Sequence, residues 1–325
     1  MEQSVSYASM PFDFDTSLLS DRSRTGLRGY WARLQQRLDP YADYILLAPP
    51  GVLLLVLLGL PVIFNVYISF FSWSGTGWPT QFVGLGNYAT VFSDESLITS
   101  LVNTAIWTIG MVTVPPMIGL GTALLIDDIY GERVFKTAFF LPKTISFVAI
   151  GIIWTLMYNN DFGVVNTLLR TVGMGEFARA WLGIPTVNTF AIMIAQGWLF
   201  SATAMLVYLA GLRSIPPELS EAAKVDGLSK AQRFRHVTLP MLRPFTTFVV
   251  ATILFNVLKI FDIIWVMTRG GPFFSSETLA VSMYRVAFTQ FQFGLGAAIA
   301  NILTVLIVVV TVIYIRYNIK REVEY

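Results

Sequence analysis

The stretch at residues 45–71, ILLAPPGVLLLVLLGLPVIFNVYISFF, contains no charged side chain. A helix needs about 20 mostly apolar residues to cross a hydrocarbon core of about 30 Å, so this stretch is long enough for one crossing. Five further stretches of this kind follow, at about 101–126, 135–158, 188–211, 245–268 and 294–317. The sequence therefore predicts an all-α polytopic membrane protein with six transmembrane helices.

The composition of the whole chain agrees with a membrane protein. Of the 325 residues, 55% are hydrophobic and only 13% are charged, whereas a soluble domain carries about 25% charged residues. A net charge of +2 provides no basic surface for nucleic acid, so we expect membrane lipid and no nucleic acid among the partners. With no cysteine and one histidine, we expect no metal site and no catalytic residue in this chain.

The Lys and Arg residues of the loops and tails, counted with Lys136 and Arg316 at the ends of two spans, predict the orientation. On alternate sides of the membrane they number 16 and 4, and the richer side is cytoplasmic by the positive-inside rule. Both termini are then cytoplasmic. Residues 1–40 are expected to form a cytoplasmic arm with a short interfacial helix, and residues 41–325 the transmembrane domain.

The chain lacks the residues that would power transport by itself. It contains no G-x-x-x-x-G-K-[ST] segment for ATP phosphates. Buried acids of the kind that proton- or sodium-coupled carriers use are scarce, since Asp262 is the only acidic residue inside a predicted span, three residues after Lys259. A stand-alone secondary carrier is therefore the less favoured alternative. We expect no cofactor in this chain, with ATP and magnesium bound by separate subunits.

The largest cytoplasmic loop, residues 212–243, has the pattern of a short exposed helix. Pro216 and Pro217 favour a helix start, and Glu218 favours its positive end. Small side chains at Ala222 and Ala223 give the helix a smooth face. Such a helix, projecting between two spans, is shaped to fit the groove of a partner.

The same loop resembles the EAA loop of ABC importer permeases. In that family Glu-Ala-Ala is followed after three residues by Gly, and after nine more by Ile, one residue and Leu-Pro. The matching residues are Glu221, Ala222, Ala223, Asp226, Gly227, Leu239 and Pro240, with Val237 in the Ile position. The resemblance implies a type I importer permease fold and a coupling helix that docks on an ATPase subunit. We call residues 212–243 the coupling loop.

Three other segments resemble the carbohydrate-type permeases of this family. They are FVGLGNY at 82–88, the segment from LP at 141–142 to NNDFGVVN at 159–166, and FD at 261–262 with MTRGGP at 267–272. The resemblance implies a sugar importer of the cell inner membrane. Its partners would be a second homologous permease, two ATPase subunits and an extracytoplasmic solute-binding protein.

Alignment on Trp198 with these sugar permeases gives candidate residues for a solute cavity. They are Gln196, Phe200, Thr203, Phe255, Asn256 and Lys259. Aromatic faces suit a sugar ring, and amides or hydroxyls suit its OH groups. Three alternatives stay open: the phenylalanines pack, the amides bond across helices, or Lys259 pairs with Asp262. If Lys259 meets solute, a glycerol-phosphate, a polyol or another non-sugar solute is also possible.

Overall fold

The computed structural model describes residues 42–127 and 129–322. The chain divides into two compact units, Met1–Ile63 and Phe64–Tyr325. The predicted cytoplasmic arm at 1–40 lies outside the described residues and stays a prediction. In the first unit, the described residues form an α-helix at Ala42–Leu54, a π-helical turn at Leu55–Gly59 and a further α-helix that starts at Leu60.

The described part of the chain is mainly helical. The first seven helices are α1 Ala42–Leu54, α2 Leu60–Ile68, α3 Gly86–Ser93, α4 Glu95–Ile126, α5 Glu132–Phe140, α6 Phe147–Met157 and α7 Val164–Thr171. The following eight are α8 Val187–Ser214, α9 Pro217–Val225, α10 Lys230–Arg233, α11 Leu239–Met241, α12 Arg243–Val257, α13 Asp262–Met267, α14 Leu279–Tyr284 and α15 Phe293–Glu322. Short 3₁₀ or π-helical turns lie at Leu55–Gly59, Leu141–Thr144, Gly175–Phe177, Phe234–Thr238 and Arg285–Thr289. A two-stranded antiparallel hairpin pairs β1 Phe71–Ser72 with β2 Gln81–Phe82.

Four helices in the described residues are individually long and apolar enough to cross a membrane. They are Leu47–Ile68, Glu95–Ile126, Val187–Ser214 and Phe293–Arg316. These helices coincide, within a few residues at most ends, with the first, second, fourth and sixth predicted crossings. The fold is thus that of a polytopic helical membrane protein, and the third and fifth crossings need separate description.

The third predicted crossing, 135–158, is not one straight helix. Its two halves, Glu132–Thr144 and Phe147–Met157, are bent by 105°. The bend occurs where Ser146 leaves the helical conformation and its Oγ accepts a hydrogen bond from the Ala149 N–H at 3.3 Å. A serine in this position caps a new helix, so the chain changes direction here.

The fifth predicted crossing, 245–268, is interrupted as well. Helix α12 ends at Val257 and α13 begins at Asp262, so residues 258–261 form a break. Helical structure continues instead before α12, where Lys230–Met241 meets Arg243–Val257 at an angle of 62°. Sequence hydrophobicity alone misses the break, because Leu258, Ile260 and Phe261 keep the stretch apolar.

Close packing of α4 against α8 forms the centre of the main hydrophobic core. Trp107 and Met111 of α4 are buried there with Leu199 and Met205 of α8. The helices approach each other closely at Gly119, where an added Cβ would lie 2.5 Å from the Ala204 Cβ and 2.8 Å from the Met205 backbone nitrogen. Small residues let membrane helices pack at this short distance.

Helix α15 packs in a second cluster on the other side of α4. Leu97 of α4 is buried there with Leu279 of α14 and Ile299 of α15. The start of α4 is capped by Asp94, whose carboxylate accepts hydrogen bonds from the Ser96 and Leu97 N–H groups. The Ser96 hydroxyl also donates to it at 2.6 Å and lowers the pKa of Asp94. The cap fixes where the second crossing begins.

The contact at Gly119 predicts a position-specific effect of a single methyl group. We expect Gly119→Ala to destabilise the protein by roughly 1–3 kcal/mol, because backbone atoms of α8 occupy the space that the methyl group would need. Gly121→Ala is the matched control, since no atom lies within 4 Å of its added Cβ. Thermal unfolding of the detergent-solubilised protein measures both variants. Equal midpoints for the two would contradict this packing.

Candidate functional site

Helix α9 of the coupling loop presents one face to solvent. Glu221, Ala222 and Val225 are exposed, and the Val225 side chain is 87% exposed. Ala223 lies on the opposite face and is buried. The exposed face therefore combines an acidic group with small or apolar side chains that nothing in the described chain covers.

The end of α9 is fixed by a glycine in the left-handed conformation. Gly227 has a φ of 79°. Its N–H donates to the Lys224 carbonyl at 3.0 Å, and the Leu228 N–H donates to the Ala223 carbonyl at 3.0 Å. These two bonds form a Schellman motif, in which glycine is preferred because it has no Cβ. Asp226, just before it, is exposed, and its N–H donates to the Ala222 carbonyl.

Local hydrogen bonds also fix the conformation of the second half of the coupling loop. At the start of α10, the Ser229 hydroxyl accepts from the Gln232 N–H at 3.3 Å, and the Gln232 Oε1 accepts from the Ser229 N–H at 2.8 Å. This reciprocal capping box satisfies two helix-end donors. Leu239 and Pro240 begin α11, with Leu239 exposed and Pro240 half-buried. The two halves of the loop touch where Arg233 Nη1 donates to the Ser220 hydroxyl at 3.4 Å.

Charged side chains surround the point where α8 enters the coupling loop. Arg213, in the last turn of α8, forms an ion pair with Glu132 of α5, and its Nε lies 3.5 Å from Asp127 Oδ1. Lys136 also pairs with Glu132, at 2.8 Å. The base of the loop is thus connected to α5 by ion pairs as well as to α8 by the chain. We call these four residues the Arg213 cluster.

A cavity of about 260 Å³ lies beside the break between α12 and α13. Helices α6 and α8 complete its wall. Its lining residues are Phe147, Gln196, Phe200, Asn256, Lys259, Ile260, Phe261, Asp262 and Ile263. We call it the polar cavity, because amide and charged groups alternate there with aromatic rings.

Four of the six residues predicted for a solute cavity line the polar cavity: Gln196, Phe200, Asn256 and Lys259. Thr203 lines a smaller neighbouring pocket of about 30 Å³, which shares Phe200 and Asn256 with the polar cavity. Phe255 lies in the wall of neither and is 47% exposed. The structure therefore brings five of the candidates together and leaves Phe255 outside.

The polar groups of the cavity have unused hydrogen-bonding capacity. Gln196 is only 3% exposed, yet its amide makes no hydrogen bond to any other described residue. Asn256 uses its Nδ2 to donate to the Thr252 carbonyl at 2.7 Å, which leaves its Oδ1 available. Gln196 lines the cavity, so its amide can donate to and accept from a molecule bound there. A solute with hydroxyl groups offers both kinds of partner.

Lys259 lies within the break and Asp262 is the first residue of α13; both are exposed and line the cavity. Among residues 42–127 and 129–322 they form no ion pair with each other, so the local pairing considered from the sequence is not present. Asp262 lines the cavity, whereas the sequence predicts it only as a partner for Lys259. Its charge within an apolar stretch is the signal that points to such a position.

A larger space of about 690 Å³ lies between α4, α6 and α8. Its wall is apolar, with Met111, Met193 and Trp198 among its residues, and the described residues that line it include no charged group. The Ser201 hydroxyl in this wall already donates to the Gly197 carbonyl at 2.7 Å. Volume alone would favour this space, but its chemistry does not suit a polyhydroxylated solute.

Comparison with known proteins places the chain in a family. Residues 129–324, which include the coupling loop and most of the polar cavity, match the family described as binding-protein-dependent transport system inner membrane component. The chain belongs to this family. It is a permease subunit of an ABC importer and an inner-membrane component.

The permease has relatives that match it over most of its length. A probable ABC transporter permease of Pyrococcus horikoshii is 37% identical over 88% of this chain and 99% of its own length. The sulfoquinovosyl glycerol transport system permease SmoG of Agrobacterium fabrum is 35% identical over 88% of this chain and 93% of its own. A chain of a bacterial ABC transporter that imports the acidic polysaccharide alginate has the same fold. Its TM-score is 0.74 at 22% identity, over 89% of this chain and 99% of that one.

The Schellman motif of α9 predicts a graded response at Gly227. We expect Gly227→Ala to weaken the end of α9 by about 1 kcal/mol, because a Cβ is unfavourable at a positive φ. Gly227→Asn should weaken it less, since asparagine tolerates this conformation. Hydrogen exchange of the amides at 222–228 in the purified permease measures the effect. Equal exchange in all three proteins would show that the glycine conformation does not hold the helix end.

Proposed function

We propose that this permease passes a sugar across the inner membrane by alternating access, driven by ATP hydrolysis on separate subunits. A solute-binding protein outside the membrane would deliver the sugar. The complete machine would contain a second homologous permease and two ATPase subunits, which would bind ATP and magnesium. The observation that carries the proposal is the polar cavity, where the buried and unpartnered amide of Gln196 lies next to the ring of Phe200.

The names of relatives support a sugar-like solute. One relative, 29% identical, is a probable starch degradation products permease of Thermoanaerobacterium thermosulfurigenes. Another, 34% identical, is the osmoprotective compounds uptake permease GgtC of a Synechocystis strain. These names describe those proteins, and for this permease the starch-product relative favours a sugar as the solute.

The charges of the cavity favour a neutral sugar over an anionic one. Lys259 alone would attract a phosphate, and this observation supports glycerol-phosphate as a second candidate. Asp262, three residues further on, supplies a compensating negative charge. A carboxylate accepts hydrogen bonds from hydroxyl groups but repels a phosphate. A solute with several hydroxyls and no net charge therefore satisfies both side chains.

The coupling loop is proposed to connect the membrane helices with an ATPase subunit. Its exposed face at Glu221, Ala222 and Val225 is apolar enough to be buried in a groove. The Schellman motif at Gly227 and the capping box at Ser229 make the loop stiff enough to act as a lever. This role requires the loop, and with it both termini of the chain, to be cytoplasmic.

Glu221→Lys tests the docking role of the coupling loop. We expect this change to reduce transport and solute-stimulated ATP hydrolysis at least ten-fold, because it reverses a charge in a surface that must be buried. Lys224→Glu, a charge reversal on the same helix at a position where the motif specifies no residue type, is the matched control. The measurement is ATP hydrolysis by the reconstituted complex with a panel of sugar-loaded and glycerol-phosphate-loaded binding proteins.

Two results would contradict the proposal, one from purification of the complex and one from the ATP-hydrolysis measurement. If no ATPase subunit copurifies with the intact permease, the importer mechanism is wrong for this chain. If only phosphate-loaded binding proteins stimulate hydrolysis, the sugar assignment is wrong and the second candidate takes its place.

Gln196→Leu tests the solute cavity. We expect transport to fall roughly three- to ten-fold, the effect of losing one or two hydrogen bonds to solute. The thermal midpoint should stay equal or rise, because the Gln196 amide has no partner within the described structure to lose. Phe255→Leu, outside the cavity, is the control and should transport normally. Normal transport by Gln196→Leu would argue against this cavity as the solute site.

A further inference from the structure

The break between α12 and α13 creates a physical problem for the backbone. A continuous helix pairs its own carbonyl groups, whereas an interruption inside a membrane-spanning segment leaves some of them without an intrahelical partner. Residues 258–261 form such an interruption, and Ile260 in its centre also lines the polar cavity. The Ile260 carbonyl therefore needs a donor from elsewhere in the protein.

Thr278 supplies this donor. Its hydroxyl donates to the Ile260 carbonyl at 2.9 Å, and the Thr278 side chain is only 1% exposed. Thr278 is not among the residues that line the polar cavity. It immediately precedes α14, 18 residues after the peptide that it contacts. The contact thus joins the break to a different part of the chain.

Both neighbours of Thr278 are held by α4. The Asn103 amide donates to the Glu277 carbonyl at 2.9 Å, and the Leu279 N–H donates to the Thr104 hydroxyl at 3.0 Å. The segment on either side of Thr278 is therefore fixed to the second crossing. Only a small movement of the Thr278 hydroxyl is possible without breaking one of these bonds.

A buried ion pair fixes the same segment from the other side. The carboxylate of Glu277 is fully buried, and it accepts hydrogen bonds from Arg285 Nε at 2.6 Å and Nη2 at 2.9 Å. The Ser282 hydroxyl donates to the same carboxylate. Bidentate Arg–carboxylate pairs have a defined geometry. The position of Thr278 is consequently set by α4 and by α14 together.

We propose that Thr278 is a positioning residue of the solute cavity. Its hydroxyl holds the Ile260 peptide, and this peptide sets the separation and direction of Lys259 and Asp262 on either side. Without the bond, the break relaxes and the two charged groups no longer meet the same solute. The inference rests on the proposed function of the cavity, and it adds a residue that never touches solute.

Thr278→Val tests the proposal, because valine keeps the branched shape and removes only the hydroxyl donor. The measured quantity is the number of solute molecules carried per ATP hydrolysed, at saturating sugar-loaded binding protein. We expect this ratio to fall about five-fold, which corresponds to the loss of one buried hydrogen bond. Stimulated ATP hydrolysis should stay normal, because the substitution leaves the coupling loop unchanged. Thr278→Ser keeps a hydroxyl and should restore most of the ratio.

A double-mutant cycle with Lys259→Met separates positioning from a general loss of stability. If Thr278 acts through Lys259, the two changes together should lower the ratio by less than the product of their separate effects. If the double variant lowers the ratio by the full product of the two separate effects, the proposal is wrong. A normal ratio in Thr278→Val would also overturn it.

If Thr278→Val does not assemble, Asn103→Leu replaces it, since this change frees the Glu277 carbonyl and loosens Thr278 from α4. A normal ratio in Asn103→Leu would equally contradict the proposal.

The same experiment distinguishes failure of this inference from failure of the proposed function. If Lys259→Met and Gln196→Leu reduce transport but Thr278→Val does not, the cavity stands and the positioning role is wrong. If none of the three changes transport, the solute passes elsewhere and the cavity assignment itself is wrong.

Discussion

The close contact of α4 with α8 is the interaction on which the rest of the permease depends. Gly119 allows the two helices to approach so closely that an added Cβ would meet the Ala204 Cβ and the Met205 backbone nitrogen. The packed pair of helices carries functional groups at its two ends. At one end, Asn103 and Thr104 of α4 hold the segment before α14. At the other end, α8 leads into the coupling loop. The polar cavity lies between these ends, with Gln196 and Phe200 on α8.

Much of this architecture follows from the sequence, because burial in lipid imposes a simple requirement. A stretch such as 45–71, with no charge, has few alternatives to a membrane helix. The local signals of the coupling loop are equally direct, since Gly227 forms the left-handed helix end that the pattern implies. The family match over residues 129–324 agrees with the EAA resemblance and includes the segments at 141–166 and 261–272, whereas the segment at 82–88 lies before it.

Other features could not be derived from hydrophobicity. The interruption at 258–261 depends on a partner, Thr278, that is distant in sequence, and no local signal reveals this contact. The 105° bend before α6 likewise occurs in a stretch that reads as one apolar span. Phe255 illustrates a limit of alignment, because a shift of one position on a helix rotates a side chain by about 100°. Asn256, its neighbour, lines the cavity, whereas Phe255 does not.

The Arg213 cluster gives the corner below α8 two different kinds of connection. The covalent chain joins the coupling loop to α8, and the ion pair with Glu132 joins the same corner to α5. A displacement that starts in the loop therefore reaches two helices at once. The covalent connection is insensitive to the surrounding electrolyte, but the Arg213 side chain is partly exposed, and exposed ion pairs weaken as ionic strength rises. The stiffness of this corner consequently depends on the salt concentration of the solution that surrounds it.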